Sequence, residues 1–266
     1  QGLIESLNLS YELRIVEPHE VFDCITEEVG VLLLTEVDYR SSRKHNMLQL
    51  TAKAHTMGAI TIWDLAHSTG ILSVKLQEAN ADFAVGCTYK YLNGGPGSPA
   101  FIYVAPKHQA KSENAIKGWL GHASPFNFTK QFQPSLGIDK MQIGTPPIIA
   151  STALEASLDI FDIVDIKDIA VETIKLTEFF IDQTHKHCPE LKLISPTCSQ
   201  KRGAHLAFAF TNGYALMQCL IEHGVIGDFR MPNLIRFGFN PLFIDQNDVL
   251  KALEILFDIM QNKKWD

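Results

Sequence analysis

With 266 residues, 46% of them hydrophobic and 20% charged, the chain can bury one large core or two modest ones. A net charge of −7 with 23 scattered basic residues argues against a nucleic-acid surface, and no apolar run approaches the roughly 18 residues of a membrane span. Five cysteines (Cys24, Cys87, Cys188, Cys198 and Cys219), odd in number and without C-x-x-C spacing, argue against a disulfide framework or a zinc site and fit reduced thiols in the cytoplasm. A small-molecule substrate is the remaining class. The opening QGLIESLNLSYELRIV has neither an initiator Met nor a leader pattern, and reads as the start of a mature product or of a piece of something longer.

In chain order, VGVLLLTEV (29–37), AITIWD (59–64), DFAVGCTY (82–89) and PAFIYVA (99–105) are continuous apolar runs, as strands buried on both faces require. Between the first two, Met47, Leu50, Ala54 and Met57 recur at helical spacing and Gly58 marks a C-terminal cap, so the segment is predicted as a strand–helix–strand unit. The first 105 residues therefore predict a mostly parallel sheet. A Gly-, Pro- and aromatic-rich stretch fills 106–147, after which two prolines open a helix predicted to run, with a break near Asp165, to about His187. KLISP, AHLAFAF, YALMQCLIEHG, LIRFGFNPLF and QNDVLKALEILFDIMQN then alternate strand and helix patterns, as a small α+β domain would. The predicted organisation is a large domain over 1–150, a connecting helical region over 151–187 and a small domain over 188–266.

Ligands in this fold class bind beyond the carboxyl ends of parallel strands. Thr35, Asp64, His67, Tyr89 and Lys90 all fall there, which brings a hydroxyl, a carboxylate, an imidazole, a phenol and an amine to one sheet edge. Singly, Asp64 reads as an N-cap, His67 as a structural histidine and Lys90 as a solvated surface lysine. Together they suit pyridoxal phosphate chemistry, where a lysine forms a Schiff base and an acid faces the pyridine nitrogen. A dinucleotide site fits worse: no G-x-G-x-x-G joins a strand to a helix, and GGPG lacks the GK[ST] ending of a P-loop.

The run WDLAHSTGILSVKLQEANADFAVGCTYKYLNGGPGSPAFIYV resembles the kynureninases, as do KGWLGHASPFNF, IGTPPIIASTALEASLDIF and LIRFGFNPLF. The resemblance implies a fold-type I pyridoxal phosphate enzyme with an incomplete large domain and a small C-terminal α+β domain. It implies a cytoplasmic homodimer of tryptophan catabolism that hydrolyses L-kynurenine, or 3-hydroxykynurenine, to anthranilate and L-alanine. Lys90 would join the cofactor and move protons, Asp64 would pair with the pyridinium nitrogen, and His67 and Thr35 would lie against the cofactor. Tyr89 would touch the phosphate and assist proton transfer. Trp119 and Thr145 would reach the phosphate from the neighbouring subunit, and Arg236 would clamp the substrate carboxylate, with Arg202 as rival. Trp119 also reads as a core or interface aromatic and Thr145 as a helix start. Asp38, Tyr39 and Arg40 are open between a supporting role and plain loop.

Kynureninases begin well before the position of Gln1, and the resemblance implies that the earlier part supplies a ring-stacking aromatic, an acidic residue and phosphate donors. The expectation is that this stretch alone associates through exposed apolar surface, holds the cofactor loosely and does not hydrolyse kynurenine. Two rivals stand beside this reading: a cysteine desulfurase or selenocysteine lyase, and a silent fragment that only folds and dimerises.

Overall fold

The computed structural model describes residues 1–265. Two short helices, α1 (Gly2–Ser6) and α2 (Val21–Cys24), precede a four-stranded sheet of β1 (Val31–Thr35), β2 (Ile60–Asp64), β3 (Phe83–Cys87) and β4 (Ala100–Val104), in that spatial order. The first three strands are parallel and β4 returns antiparallel to β3, in accord with the predicted mostly parallel sheet. Helix α3 (Met47–Thr56) is the crossover between β1 and β2; the Asn46 side chain caps its start by accepting from the Gln49 amide, and Gly58 follows its end at φ +83°. Its apolar stripe, Met47, Leu50 and Ala54, packs on one sheet face with Trp63, whose indole donates to Thr51 Oγ1 at 3.1 Å.

The opposite face departs from expectation. Continuous apolar strands predict burial on both sides, yet Val31 is 52% exposed and Leu33 64%, and Ile60, Val85 and Ile102 on the same side are also exposed. The residues encode two buried faces, and the described chain covers one of them. Thr35 and Asp64, paired across β1 and β2, lie on this open side.

Beyond α4 (Pro106–Gln109) and a run of 3-10 turns, α5 (Ile148–Leu158) leads to α6 (Ile166–His187) through a 3-10 turn, and Asp165 caps α6 at the predicted break. A second, wholly antiparallel sheet follows, with β5 (Lys192–Leu193), β6 (His205–Ala209), β7 (Asp228–Arg230) and β8 (Leu234–Gly238) in the order β5-β6-β8-β7. Helices α6, α7 (Gly213–Glu222) and α8 (Gln246–Asn262) pack on it through Leu176, Phe180, Leu216, Leu220, Leu253 and Leu256. Strand β7 is absent from the sequence reading; three residues containing Asp and Arg carry no strand signature.

One buried carboxylate ties the first sheet together. Asp82, its side chain 3% exposed, accepts from His55 on α3, from the amide and hydroxyl of Thr61 on β2, and from His108 on α4, and forms an ion pair with Lys107 at 2.7 Å. Burial alone would raise its pKa, but the bonds from Lys107, His108, His55 and the Thr61 amide outweigh it and hold the carboxyl well below the ordinary range. A depressed carboxylate contributes stability above its unfolded pKa of about 3.9 and loses it as pH falls through the folded value. Asp82→Asn should therefore cost about 3 kcal/mol at neutral pH. Its urea midpoint should also fall less than the parent's below about pH 4; parallel acid profiles would show that the carboxylate charge contributes nothing.

Candidate active site

The stretch between β3 and β4 builds a rigid seat for Lys90. Thr88 Oγ1 contacts Ser98 Oγ at 2.6 Å and donates to the Pro99 carbonyl at 2.5 Å, the Gly94 amide bonds back to the Thr88 carbonyl, and Asn93 bonds back to Lys90. Gly94 is required here, since a Cβ would lie 2.3 Å from Ser98 Oγ and 3.0 Å from the Thr88 carbonyl. Gly70, at φ +88°, lets the turn after β2 pack on the same seat; a Cβ there would lie 2.6 Å from the Tyr91 carbonyl.

From this seat the Lys90 amine reaches His67 Nε2 at 3.3 Å and lies 5.4 Å from the Tyr89 ring centre. Asp64 stands at the end of β2, opposite Thr35 in register. Its Oδ1 accepts the Ala66 amide at 2.8 Å, so the cap reading of Asp64 is correct as far as it goes, while its other oxygen has no hydrogen bond to protein among the described residues. Burial, then the charges of Lys90, His205 and Arg236, push the His67 imidazole down to about 3 against the pull of Asp64. A neutral His67 thus accepts from the lysine amine through Nε2.

The second sheet adds groups that the sequence reading passed over. His205, 5% exposed at the start of β6, faces His67 with ring centres 5.5 Å apart. Its Nε2 donates to the Tyr39 carbonyl at 3.1 Å, which leaves Nδ1 as a buried lone pair without a protein partner. Burial, then Arg236, push this imidazole down to about 4. Arg236 on β8 also donates to the Tyr39 carbonyl and is gripped by Asp228 of β7. The sequence hint to His205 was its place two residues after Gly203 in KRGAHLAF; that to Asp228 was hidden with its strand.

Not every nominated residue arrives. Arg202 is buried and consumed: its guanidinium donates to the Pro196 and Thr197 carbonyls and to Thr177, and pairs with Glu178 at 2.5 Å. It has no fork left for a substrate, so geometry removes it as rival to Arg236. Trp119, 44% exposed, sits edge-on to Phe126 in the 3-10 region, and Thr145 is exposed in the loop before α5; neither contacts the Lys90 group within the chain. Asp38 knots its own loop by accepting from Arg40 and Ser41, while Tyr39 reaches the site with its carbonyl and with its ring, whose centre lies 5.9 Å from the Arg236 guanidinium.

The donor set fits pyridoxal phosphate: an amine for its aldehyde, a carboxylate oxygen free to face a pyridine nitrogen, and hydroxyls at Thr35 and Tyr89. The buried hydroxyls of Ser68 and Thr69, on the turn that carries His67, also lack protein partners. An apolar cavity of about 380 Å³ lies elsewhere, between α8 and β8, lined by Phe180, Val225, Phe237 and Ile255. Asp248 and Lys251 are the only charged side chains lining it, so the chemistry belongs to the open sheet edge.

Residues 169–256 match the kynureninase C-terminal domain. The chain is 42% identical, along its whole length, to the kynureninases of Pseudomonas fluorescens and Burkholderia mallei (strain SAVP1), and spans 64% of the length of each. Among solved structures it is similar to a cysteine desulfurase from Thermococcus onnurineus NA1, with a TM-score of 0.83 and 16% identity over 98% of this chain and 69% of that one. It is also similar to the Escherichia coli cysteine desulfurase CsdA, with a TM-score of 0.76 and 18% identity over 92% of this chain and 62% of that one. At such identities the structures establish a shared fold only. The chain is thus similar to kynureninases from its first residue to its last, and residues 169–256 to their C-terminal domain.

Proposed function

We propose that the chain carries the cofactor-binding edge of a pyridoxal phosphate-dependent kynureninase, which hydrolyses L-kynurenine to anthranilate and L-alanine. The observation that carries this reading is the Lys90–His67 contact beside Asp64 at the carboxyl ends of parallel strands, in a sequence 42% identical to kynureninases. The cofactor, when bound, supplies an aldehyde for amines and a ring that accepts electrons from the substrate's Cα.

The chain's residues have separable tasks in this reading. Lys90 presents its amine to the aldehyde and moves the Cα proton; His67, kept neutral by burial and by neighbouring cations, accepts a hydrogen bond from that amine and limits its swing. Asp64, held by the Ala66 amide, turns its free oxygen to the ring nitrogen and keeps it protonated. Thr35 and Tyr89 supply hydroxyls to the cofactor, and Arg236 receives the substrate carboxylate. Trp119 and Thr145 serve a second copy's phosphate site. Their exposure supports this, as does the apolar character of the surrounding surface, where Phe126 is 72% exposed, Phe128 81% and Leu136 89%. The desulfurase alternative shares the fold, but Cys87, the cysteine nearest Lys90 in sequence, lies in β3 with its sulfur on the Ala66 carbonyl. No helix among the described residues is long and apolar enough to cross a membrane; a cytoplasmic enzyme is the reading we adopt.

Lys90→Ala should abolish the borohydride-reducible adduct and visible absorption band formed with pyridoxal phosphate, because the described site offers the cofactor no second amine. A retained adduct would move the attachment point. Turnover is read by anthranilate fluorescence from L-kynurenine in a protein of the relatives' length carrying this sequence; sulfide from L-cysteine instead would favour the desulfurase.

Asp64→Asn should still capture cofactor yet slow deuterium exchange at Cα of L-alanine by about a hundredfold, since a neutral amide does not hold the ring nitrogen protonated. Exchange at the parent rate would reduce Asp64 to its cap. Acid stability gives an independent check on the two imidazoles. A histidine whose folded pKa lies below its unfolded value of about 6.5 takes up protons only on unfolding, so stability falls as pH drops below 6.5, by up to about 1.4 kcal/mol per pH unit for each ring. His67→Gln and His205→Gln should each flatten the parent's loss between about pH 6.5 and 4; unchanged slopes would mean that these rings titrate normally.

A further inference from the structure

We infer that Asp228 is a positioning residue for carboxylate recognition: it grips Arg236 by the Nε edge and so presents the two terminal nitrogens to the carboxylate of an amino-acid ligand. The inference rests on the reading of Arg236 as the substrate clamp and deepens it.

The register of β7 against β8 sets Asp228 directly opposite Arg236. Arg236 Nε donates to Asp228 Oδ1 at 2.6 Å and Nη2 donates to Oδ2, the side-on two-point pairing of a guanidinium with a carboxylate. Nη1 donates to the Tyr39 carbonyl. A guanidinium has five N–H groups. Three are spent, which leaves one on each terminal nitrogen. The pairing thus fixes the plane of the head group while keeping a donor pair for a second carboxylate.

Burial explains why such a brace is needed. The Arg236 side chain is 10% exposed, whereas that of Asp228 is 42% exposed. Without Asp228 an enclosed cation would face Lys90, His67 and His205 with only the Tyr39 carbonyl and ring beside it. Burial opposes the charge on Asp228, but the bond from Arg236 and the charges of Arg236 and Arg230 outweigh it and lower its pKa, so the brace stays ionised at neutral pH. Because the braced pair is neutral overall, what it offers an incoming carboxylate is direction more than net charge. Asp228 could otherwise be a plug that occupies the clamp, and the two roles predict opposite effects on its removal.

The test uses the 266-residue chain without added cofactor, labelled with ¹⁵N-arginine. The Arg236 Nε–H signal, assigned by its loss in Arg236→Lys, is followed during titration with L-alanine and, as control, carboxylate-free ethylamine. The parent should show a saturable shift with L-alanine alone. Asp228→Asn should weaken that binding about tenfold, the loss expected when one charge-assisted contact is disordered, and should speed exchange of the Nε–H with water. If Asp228→Asn does not fold, Asp228→Glu carries the test: the longer arm should shift the Nε–H signal and weaken binding. Equal or tighter binding in the folded variant overturns the positioning role in favour of a plug. A parent that shows no carboxylate-dependent shift removes the Arg236 clamp itself, and this inference with it.

Discussion

Two sheets that share no strand meet at the main chain of residues 38–45, and the site exists because that loop bonds to both. Asp38 ties the loop to itself, accepting from the Arg40 amide, the Ser41 amide and the Ser41 hydroxyl. So braced, the loop reaches across: the Gly203 amide donates to the Ser42 carbonyl at 2.8 Å, the Lys44 amide to the Lys201 carbonyl at 2.9 Å, and Tyr39 offers its carbonyl to His205 and Arg236. Ser42 is fully buried at φ +61°, a conformation that is sterically unfavourable for a non-glycine residue and is held here by its bonds to Asp38 and Gly203. A second stitch, Asn240 to Asn93, joins the end of the second sheet to the lysine seat. Loosening the loop would separate Lys90, carried by one sheet, from Arg236, carried by the other.

This junction also sets the electrostatics. Lys90, Arg236 and two imidazoles are brought within a few side-chain lengths of one another, and burial makes each charge felt. The histidines respond by remaining neutral, which turns them from further cations into hydrogen-bonding groups. Asp64 and Asp228 supply the compensating negative charge from opposite sides, one on each sheet.

The apolar surface belongs to the same account. The face that bears Thr35 and Asp64 also bears exposed Val31 and Leu33, and the 3-10 region presents Phe126, Phe128 and Leu136 to solvent. Large apolar side chains exposed in this way are suited to contact with other protein surface. The second sheet, by contrast, has a closed core of α6, α7 and α8 and does not depend on further cover for its packing.

The sequence by itself determined most elements, because hydrophobic period, caps and breakers act locally. The apolar runs of β1–β4, the stripe Met47–Leu50–Ala54, the Asp165 break and the helical run QNDVLKALEILFDIMQN all appear where those signals stand. It also brought Thr35, Asp64, His67, Tyr89 and Lys90 to one edge, since parallel strands joined by crossovers present their carboxyl ends together. Only tertiary structure shows that Arg202, the rival to Arg236, is consumed by its bonds to Pro196, Thr197 and Glu178. Tertiary structure alone also supplied His205, the Tyr39 carbonyl and Asp228. His205 and Arg236 reach the Tyr39 carbonyl across more than 160 positions of chain, and no local period records a contact made at that separation.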